Sequence, residues 1–250
     1  MLKTIALGAG LLLSFSALSN AAQLDDQIRA AMEAQTRPAA DVARDDNRMP
    51  IETLNFLGLK DNMKVVELIP GGGWYTRLLA PVLEKNGEFI AALGTRRVKQ
   101  NIMGSKGFEK NIKVVAEDAK MYRPEGSRLY TLSMTSLGVQ NADMVLTFRN
   151  YHNFNETGRS AMNKAAFDSL KSGGIYGVVD HTRRHMEVDN RENRRRFDPV
   201  KAIKEIQAAG FEFVDFADLH HRLDDELRYE VGRKSVSGNT DRWTLKFRKP

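Results

Sequence analysis

Between Val65 and Thr76 the chain reads Val-Val-Glu-Leu-Ile-Pro-Gly-Gly-Gly-Trp-Tyr-Thr. An apolar run, a block of glycines and the start of an amphipathic pattern read as strand, tight turn and helix. Residues without a Cβ adopt positive φ freely and let backbone N–H groups approach a ligand at a helix N-terminus. The turn therefore suits something flat, polar or anionic. Glu67 lies inside the strand, where a carboxylate is costly unless it is paired or hydrogen-bonded. It either fixes the turn or meets a cationic group of a ligand.

The same alternation continues along the chain. Apolar runs at 65–69, 88–93, 112–116, 143–148, 175–179, 211–216 and 243–247 predict strands. Helical spacing predicts helices over 74–84, 160–170 and 199–209, with Pro81 kinking or shortening the first and Gly210 closing the last. Ser172-Gly173-Gly174 reads as a turn, and 218–239 as a long polar excursion. Near-continuous apolar strands between helices imply a mainly parallel sheet covered on both faces. In such sheets the ligand lies beyond the carboxyl ends of the strands, where the polar clusters of this chain also fall.

The 250 residues suffice for one sizeable α/β domain. Met1-Leu2-Lys3 and the uncharged run from Thr4 to Leu18 have the pattern of a secretory signal, with Ser19-Asn20-Ala21 as its cleavage site. The expected organisation is a signal peptide at 1–21, a helical cap at 22–60 and an α/β domain at 61–250. The expected location is periplasmic or secreted, with no stable membrane insertion once the signal is removed. The absence of cysteine excludes a disulfide framework and a lipoprotein anchor. A net charge of +6 is modest, and without a basic stripe interleaved with aromatics it predicts no nucleic-acid partner. The sequence leaves the oligomeric state open.

Within the cap, Leu24, Ile28, Ala31 and Met32 mark one amphipathic helix and Pro50 to Leu57 another, stopped by Gly58. The charged segment 37–48 between them is either a solvated face with local ion pairs or a cover whose Arg and Asp side chains fold over a later site. After the fourth strand comes Arg149-Asn150-Tyr151-His152-Asn153. His152 suits a general base near neutral pH, and Asn150 or Asn153 suits orientation of a substrate; the competing reading has His152 satisfying a loop backbone. Asp180-His181 forms a candidate carboxylate and imidazole pair across the same mouth. His185 invites a metal reading, but Arg183, Arg184 and the run 191–196 repel a cation, so none is expected. That arginine run reads as a solvated face rather than as the competing anion site, and His220-His221 as exposed. Trp74 and Tyr75 either wall a pocket or pack beneath the helix they open.

The turn is not Gly-x-Gly-x-x-Gly, which argues against a nicotinamide or flavin site, and no Gly-Lys-Ser/Thr follows it. Residues 65–81 resemble the first motif of class I S-adenosylmethionine-dependent methyltransferases. More narrowly, the chain resembles a bacterial family of predicted methyltransferases that often carry export signals. That resemblance extends through 147–153, 170–174, 179–181 and 241–250. It implies a Rossmann-like α/β fold, a seven-stranded, mostly parallel sheet with an antiparallel last strand, and S-adenosylmethionine lying over the glycine turn. Carried over by position, Glu67, Gly71 and Gly73 face the donor's amino-acid part and Asp118 faces the adenine amine. Pro70, Gly72, Trp74, Tyr75 and Arg149 complete the expected cofactor surround. His152, Asn150, Asp180 and His181 stand as the expected catalytic set toward a small-molecule acceptor. The acid that usually holds the ribose hydroxyls is missing: Ala91-Ala92-Leu93-Gly94-Thr95 offers Thr95 in its place. An exported chain also meets no obvious supply of the donor. A non-catalytic binding protein for another nucleotide-like or anionic ligand is therefore the alternative expectation.

Overall fold

A computed structural model describes residues 22–250, so the expected signal peptide at 1–21 lies outside the described residues. The described residues begin with a helix over 22–32 (α1), then two single turns, α2 (Ala39–Val42) and α3 (Asp45–Arg48), and α4 (Pro50–Leu57). Proline at the first position of α4 loses no needed hydrogen bond, and Gly58 closes the helix in the left-handed conformation, its N–H bonded to Leu54 O. The α/β part runs β1 (Lys64–Leu68), α5 (Thr76–Leu83), β2 (Glu88–Ala92), α6 (Arg96–Asn101) and β3 (Lys113–Val115). It continues with β4 (Lys120–Tyr122), β5 (Thr131–Ser133), β6 (Ala142–Phe148), a 3₁₀ turn at Tyr151–Asn153, and α7 (Glu156–Ser169). The last elements are β7 (Leu170–His181), α8 (Pro199–Ala208), β8 (Glu212–Ala217) and β9 (Arg242–Arg248).

Seven strands form one sheet in the order β3-β2-β1-β6-β7-β9-β8, and β9 is antiparallel to both of its neighbours. The strand order reverses between β1 and β6, which opens a crevice at their carboxyl ends. One core lies on each face. Leu54, Leu57, Leu78 and Leu79 pack on one side together with Leu24 and Ile28 of α1; Tyr151, Met162, Tyr176 and Phe247 pack on the other. The helical segment 22–57 thus shares a core with the sheet.

Several boundaries differ from the sequence reading for local reasons. The helix expected from Trp74 starts at Thr76, because the turn occupies 71–75. The helix expected from Ser160 starts at Glu156, where the Asn155 side chain caps it by accepting from the Gly158 N–H. Ser172-Gly173-Gly174 is not a separate turn but an irregularity inside β7, with Gly173 at φ +77° and a register shift against β6. The antiparallel pair β4–β5 and the short α6 carry too few periodic residues to be read from sequence.

Backbone strain gathers along one edge. The residue directly after each of β1, β2, β3 and β6 is left-handed: Ile69 (φ +55°), Leu93 (+61°), Ala116 (+53°) and Arg149 (+61°). For a β-branched residue such as Ile69 this is a costly conformation, and such strain concentrates where a site is built. Four adjacent strands therefore break sharply at the mouth of the crevice.

Candidate functional site

The glycine turn holds its shape through backbone and side-chain bonds. Gly73 N–H donates to Pro70 O at 2.9 Å, and Arg77 Nη1 donates to Gly72 O at 2.8 Å. The three glycines serve two different ends. A Cβ on Gly73 would collide with Ile102 Cδ1, so that glycine lets the end of α6 pack. At Gly71, with φ +58°, and at Gly72 an added Cβ would meet nothing within 4 Å, leaving open space above the turn. Beside it Glu67 is buried and accepts a hydrogen bond from Thr76 Oγ1 at 2.6 Å. Burial pushes its carboxyl up to about 7, against the lowering effects of the Thr76 bond and the Arg48 charge. A buried carboxylate with so little counter-charge is suited to meet a cation brought by a ligand.

The charged segment 37–48 packs against Trp74 and Arg77, at the helical end of this turn. Arg37 forks onto Asp45 at 2.7 and 2.6 Å and also donates to Met32 O. Trp74 donates from Nε1 to Asp41 O at 2.8 Å, and Asp41 is 3.5 Å from Arg77. The Arg48 guanidinium stands 4.4 Å over the Trp74 ring. Tyr75 stacks on Phe148 with centroids 3.5 Å apart and planes 11° from parallel. Both aromatic rings are thereby enclosed by protein groups.

At the ends of β6 and β7 the organising group is Asp180, which has no exposed surface. Its carboxylate accepts from His152 N–H at 2.8 Å, His181 N–H at 2.6 Å and His152 Nδ1 at 2.6 Å. With the carboxylate as acceptor, Nδ1 is the donor of this contact and Nε2 is the ring nitrogen left outside it. The carboxylate and imidazole pair is therefore Asp180 with His152, not with the His181 ring as the sequence suggested. The His181 ring instead bonds Thr240 Oγ1 at 2.9 Å. Burial, reinforced by His152 and by Arg149, Arg242 and Arg196, holds it well below its usual pKa. Asn150 donates from Nδ2 to Ile69 O at 3.0 Å and Phe148 O at 3.1 Å, tying β1 to β6, so Oδ1 remains for any ligand.

Two basic cavities flank this centre. The larger, about 870 Å³, is lined by His152 and Asn153 together with Arg128, Arg159, Arg183 and Arg195. The smaller, about 340 Å³, is lined by Arg44, Arg48, Arg149, Arg195, Arg242 and His181.

The predicted residues accordingly fall into groups. Glu67, Pro70, Gly71, Gly72, Gly73, Trp74 and Tyr75 lie along one turn; Arg149, Asn150, His152, Asp180 and His181 cluster beside it at the ends of β6 and β7. Thr95 is buried after β2, and Asp118 is exposed after β3, both farther along the sheet edge. His185 pairs with Asp198 at 2.9 Å, and no group of three metal-ligating side chains occurs among the described residues.

Two sequence readings are corrected. His220 is not exposed but fully buried: Nε2 donates to Arg48 O at 3.0 Å and Nδ1 accepts from Thr244 Oγ1 at 2.7 Å. Burial lowers its pKa to about 4. The arginine run is not a uniformly solvated face, because Arg196 is buried and pairs with the buried Asp225 at 2.8 Å. Arg48 and Arg242 were not singled out from the sequence. Arg242 sits in the closing strand motif and reaches Asn47 O at 2.9 Å across 195 residues, a contact with no local signal.

Comparison with known proteins agrees with this architecture. No family model and no curated relative matches the sequence. Among solved structures, a SAM dependent methyltransferase from Aquifex aeolicus aligns over 82% of this chain and 92% of its own, with 13% identity and a TM-score of 0.58. Human N-acetylserotonin methyltransferase in complex with SAM aligns over 84% and 54%, with 14% identity and a TM-score of 0.52. The [4+2]-cyclase SpnF aligns over 82% and 80%, with 14% identity and a TM-score of 0.51. The chain thus has the Rossmann-like fold of class I methyltransferases, a fold that also carries a protein named for a different reaction.

Proposed function

We propose that the protein binds S-adenosylmethionine over the glycine turn and transfers its methyl group to a small-molecule acceptor at the ends of β6 and β7. The observation that carries this reading is the open space above Gly71 and Gly72, directly beside the buried Glu67 at the switch in strand order. When bound, the donor supplies an electrophilic sulfonium methyl. Glu67 would hold its α-ammonium, a charge-assisted bond that compensates the carboxylate's burial. Asp118 would accept from the adenine amine, and Thr95 would meet the ribose. Trp74 and Tyr75 stiffen the wall by packing. On the acceptor side the Asp180-oriented His152 presents Nε2 to take a proton from the attacking nucleophile. Alignment of nucleophile and methyl carbon is the larger part of the task.

Isothermal titration of the chain without its first 21 residues, using S-adenosylmethionine and S-adenosylhomocysteine, tests this directly. Heat at one site per chain is expected, and no heat with either compound refutes it. Gly72→Val gives a cleaner probe than Gly71→Val, because position 72 has the open space without the left-handed backbone. It is expected to abolish binding with the fold retained. His152→Ala is expected to leave donor affinity intact and to remove turnover.

A second reading is supported by the end of β2, where Thr95 replaces the acid that normally grips the ribose. On that reading the crevice serves a non-catalytic binding protein. Native mass spectrometry of the protein as isolated would then show a retained ligand that is not a methyl donor. Export is proposed from the Lys3 to Ala21 pattern alone; sequencing of protein recovered from a periplasmic extract should begin at Ala22.

A further inference from the structure

We propose that the arginine pocket above the ends of β6 and β7 binds a small polyanion, a molecule carrying two or more phosphate or carboxylate groups. Binding rests on the pocket alone and does not depend on the function proposed above.

Arg44, Arg48, Arg149 and Arg242 converge on a cavity of about 340 Å³, with no Asp or Glu among its lining residues. Burying cations without counter-charge is expensive, so the arrangement calls for a compensating anion. Four carboxylates near the pocket carry other partners, although Asp180 also acts on Arg149 and Asp241 on Arg242. Asp180 is held by His152 and His181, Asp241 by His221 and the Arg222 N–H, Glu230 by Arg195, and Glu67 by Thr76.

Arg48 supplies the sharpest sign. It is only 3% exposed, yet its Nη2 is buried with no hydrogen-bond partner among the described residues. Guanidinium groups are satisfied by planar oxyanions that take two parallel N–H bonds, and orphaned buried donors are rare. Burial together with Arg149, Arg44 and Arg242 also brings Arg48 down to about 9, while burial and Arg149 bring Arg242 to about 10. The arginines thus repel one another, and Asp180 beside Arg149 and Asp241 beside Arg242 offset this only in part.

The position of these groups is fixed from several elements. His220 bonds the Arg48 carbonyl, Arg242 reaches Asn47 O, and Arg149 occupies the strained residue after β6. Such rigidity suits selection by geometry as well as by charge. The volume of about 340 Å³ fits a small molecule and is too small for a nucleic-acid duplex.

Isothermal titration at constant ionic strength, with inorganic pyrophosphate, citrate and inorganic phosphate as probes, tests the site. One binding event per chain is expected for pyrophosphate or citrate, at least ~10-fold tighter than for phosphate, the tighter probe naming the oxyanion. Arg44 is exposed, so Arg44→Gln should fold normally and weaken binding at least ~10-fold; Arg242→Gln, whose folding is checked by circular dichroism because Arg242 is buried and bonds Asn47 O, should weaken binding likewise. Arg194→Gln, in the larger cavity, should stay within about twofold of the parent. The absence of heat with both polyanions overturns the proposal, as does loss in Arg194→Gln with Arg44→Gln unaffected. Polyanion binding without any response to S-adenosylhomocysteine would remove the methyl-donor reading and leave this site standing.

Discussion

The two basic cavities contain the same side chain and treat it in opposite ways. In the larger one arginines stand beside acids: Arg128 and Arg183 with Asp189 at 2.6 and 3.2 Å, Arg159 with Glu205 at 2.6 Å, and Arg195 with Glu230. In the smaller one Arg44, Arg48, Arg149 and Arg242 face one another, and Arg195, which lines both cavities, is the member that has an acid partner. Positive charge on a surface therefore says little until its partners are counted. Paired arginines bind the fold together, whereas unpaired, buried ones leave an electrostatic debt that only a ligand can discharge.

The largest effect should come from breaking a buried pair on the paired side. Arg196 and Asp225 are both almost wholly enclosed, and Asp225 also accepts from the Asp241 and Leu227 N–H groups. Asp225→Ala would leave a buried guanidinium without its carboxylate, and a loss of about 3–5 kcal/mol is expected. Urea unfolding monitored by circular dichroism measures it. A loss below about 1 kcal/mol would mean that pairing is not what distinguishes the two regions.

Glu67 lies between the two regimes, since Arg48 is the one charge acting on it and burial outweighs that charge. With its pKa raised from 4.5 to about 7, the folded state keeps a proton that the unfolded chain releases. Stability contributed by this group must then fall as pH rises from about 4.5 to about 7, by at most about 3 kcal/mol. Glu67→Gln should remove that slope, seen as a smaller change in Tm between pH 5 and pH 8. Equal slopes in the two proteins would show that Glu67 is already ionised and compensated.

Legibility in the sequence followed the range of the interactions. Strands β1, β2, β6 and β9 are periodic apolar runs, and the glycine turn is a local motif, so fold and turn could be read directly. The placement of His152 beside Asp180 was legible as two clusters at strand ends, but not as a pair, because 28 residues separate them. His220 looked solvated since it opens a polar loop; its partners Thr244 and Arg48 come from the last strand and the cap. The arginine pocket was hidden for the same reason. Its members arise at positions 44, 48, 149 and 242, and only the sheet brings them together.

A smaller effect is expected from removing an unpaired cation. Arg48→Met gives up a contact over Trp74 at 4.4 Å but also relieves repulsion from Arg149, Arg44 and Arg242. The contact contributes roughly 0.5–2 kcal/mol, and the relief opposes it. Stability in urea should stay within about 1 kcal/mol of the parent, far from the Asp225→Ala loss. A loss approaching that of Asp225→Ala would mean that the small cavity is as structurally committed as the large one.

The smallest effect belongs to the rim of the paired cavity. Arg128 and Asp189 are both substantially exposed, at 46% and 35% of their side-chain surface. Water screens such a pair, and holding two long side chains in one geometry costs entropy, so its net contribution is about 0–1 kcal/mol. Asp189 moreover keeps Arg183 at 3.2 Å when Arg128 is removed. Arg128→Ala should therefore shift the urea midpoint barely beyond error, and added salt should reduce even that shift. A salt-sensitive loss above about 1.5 kcal/mol would show the arginines and acids of this cavity acting as one coupled network, and would make its difference from the unpaired pocket larger than pairwise contacts account for.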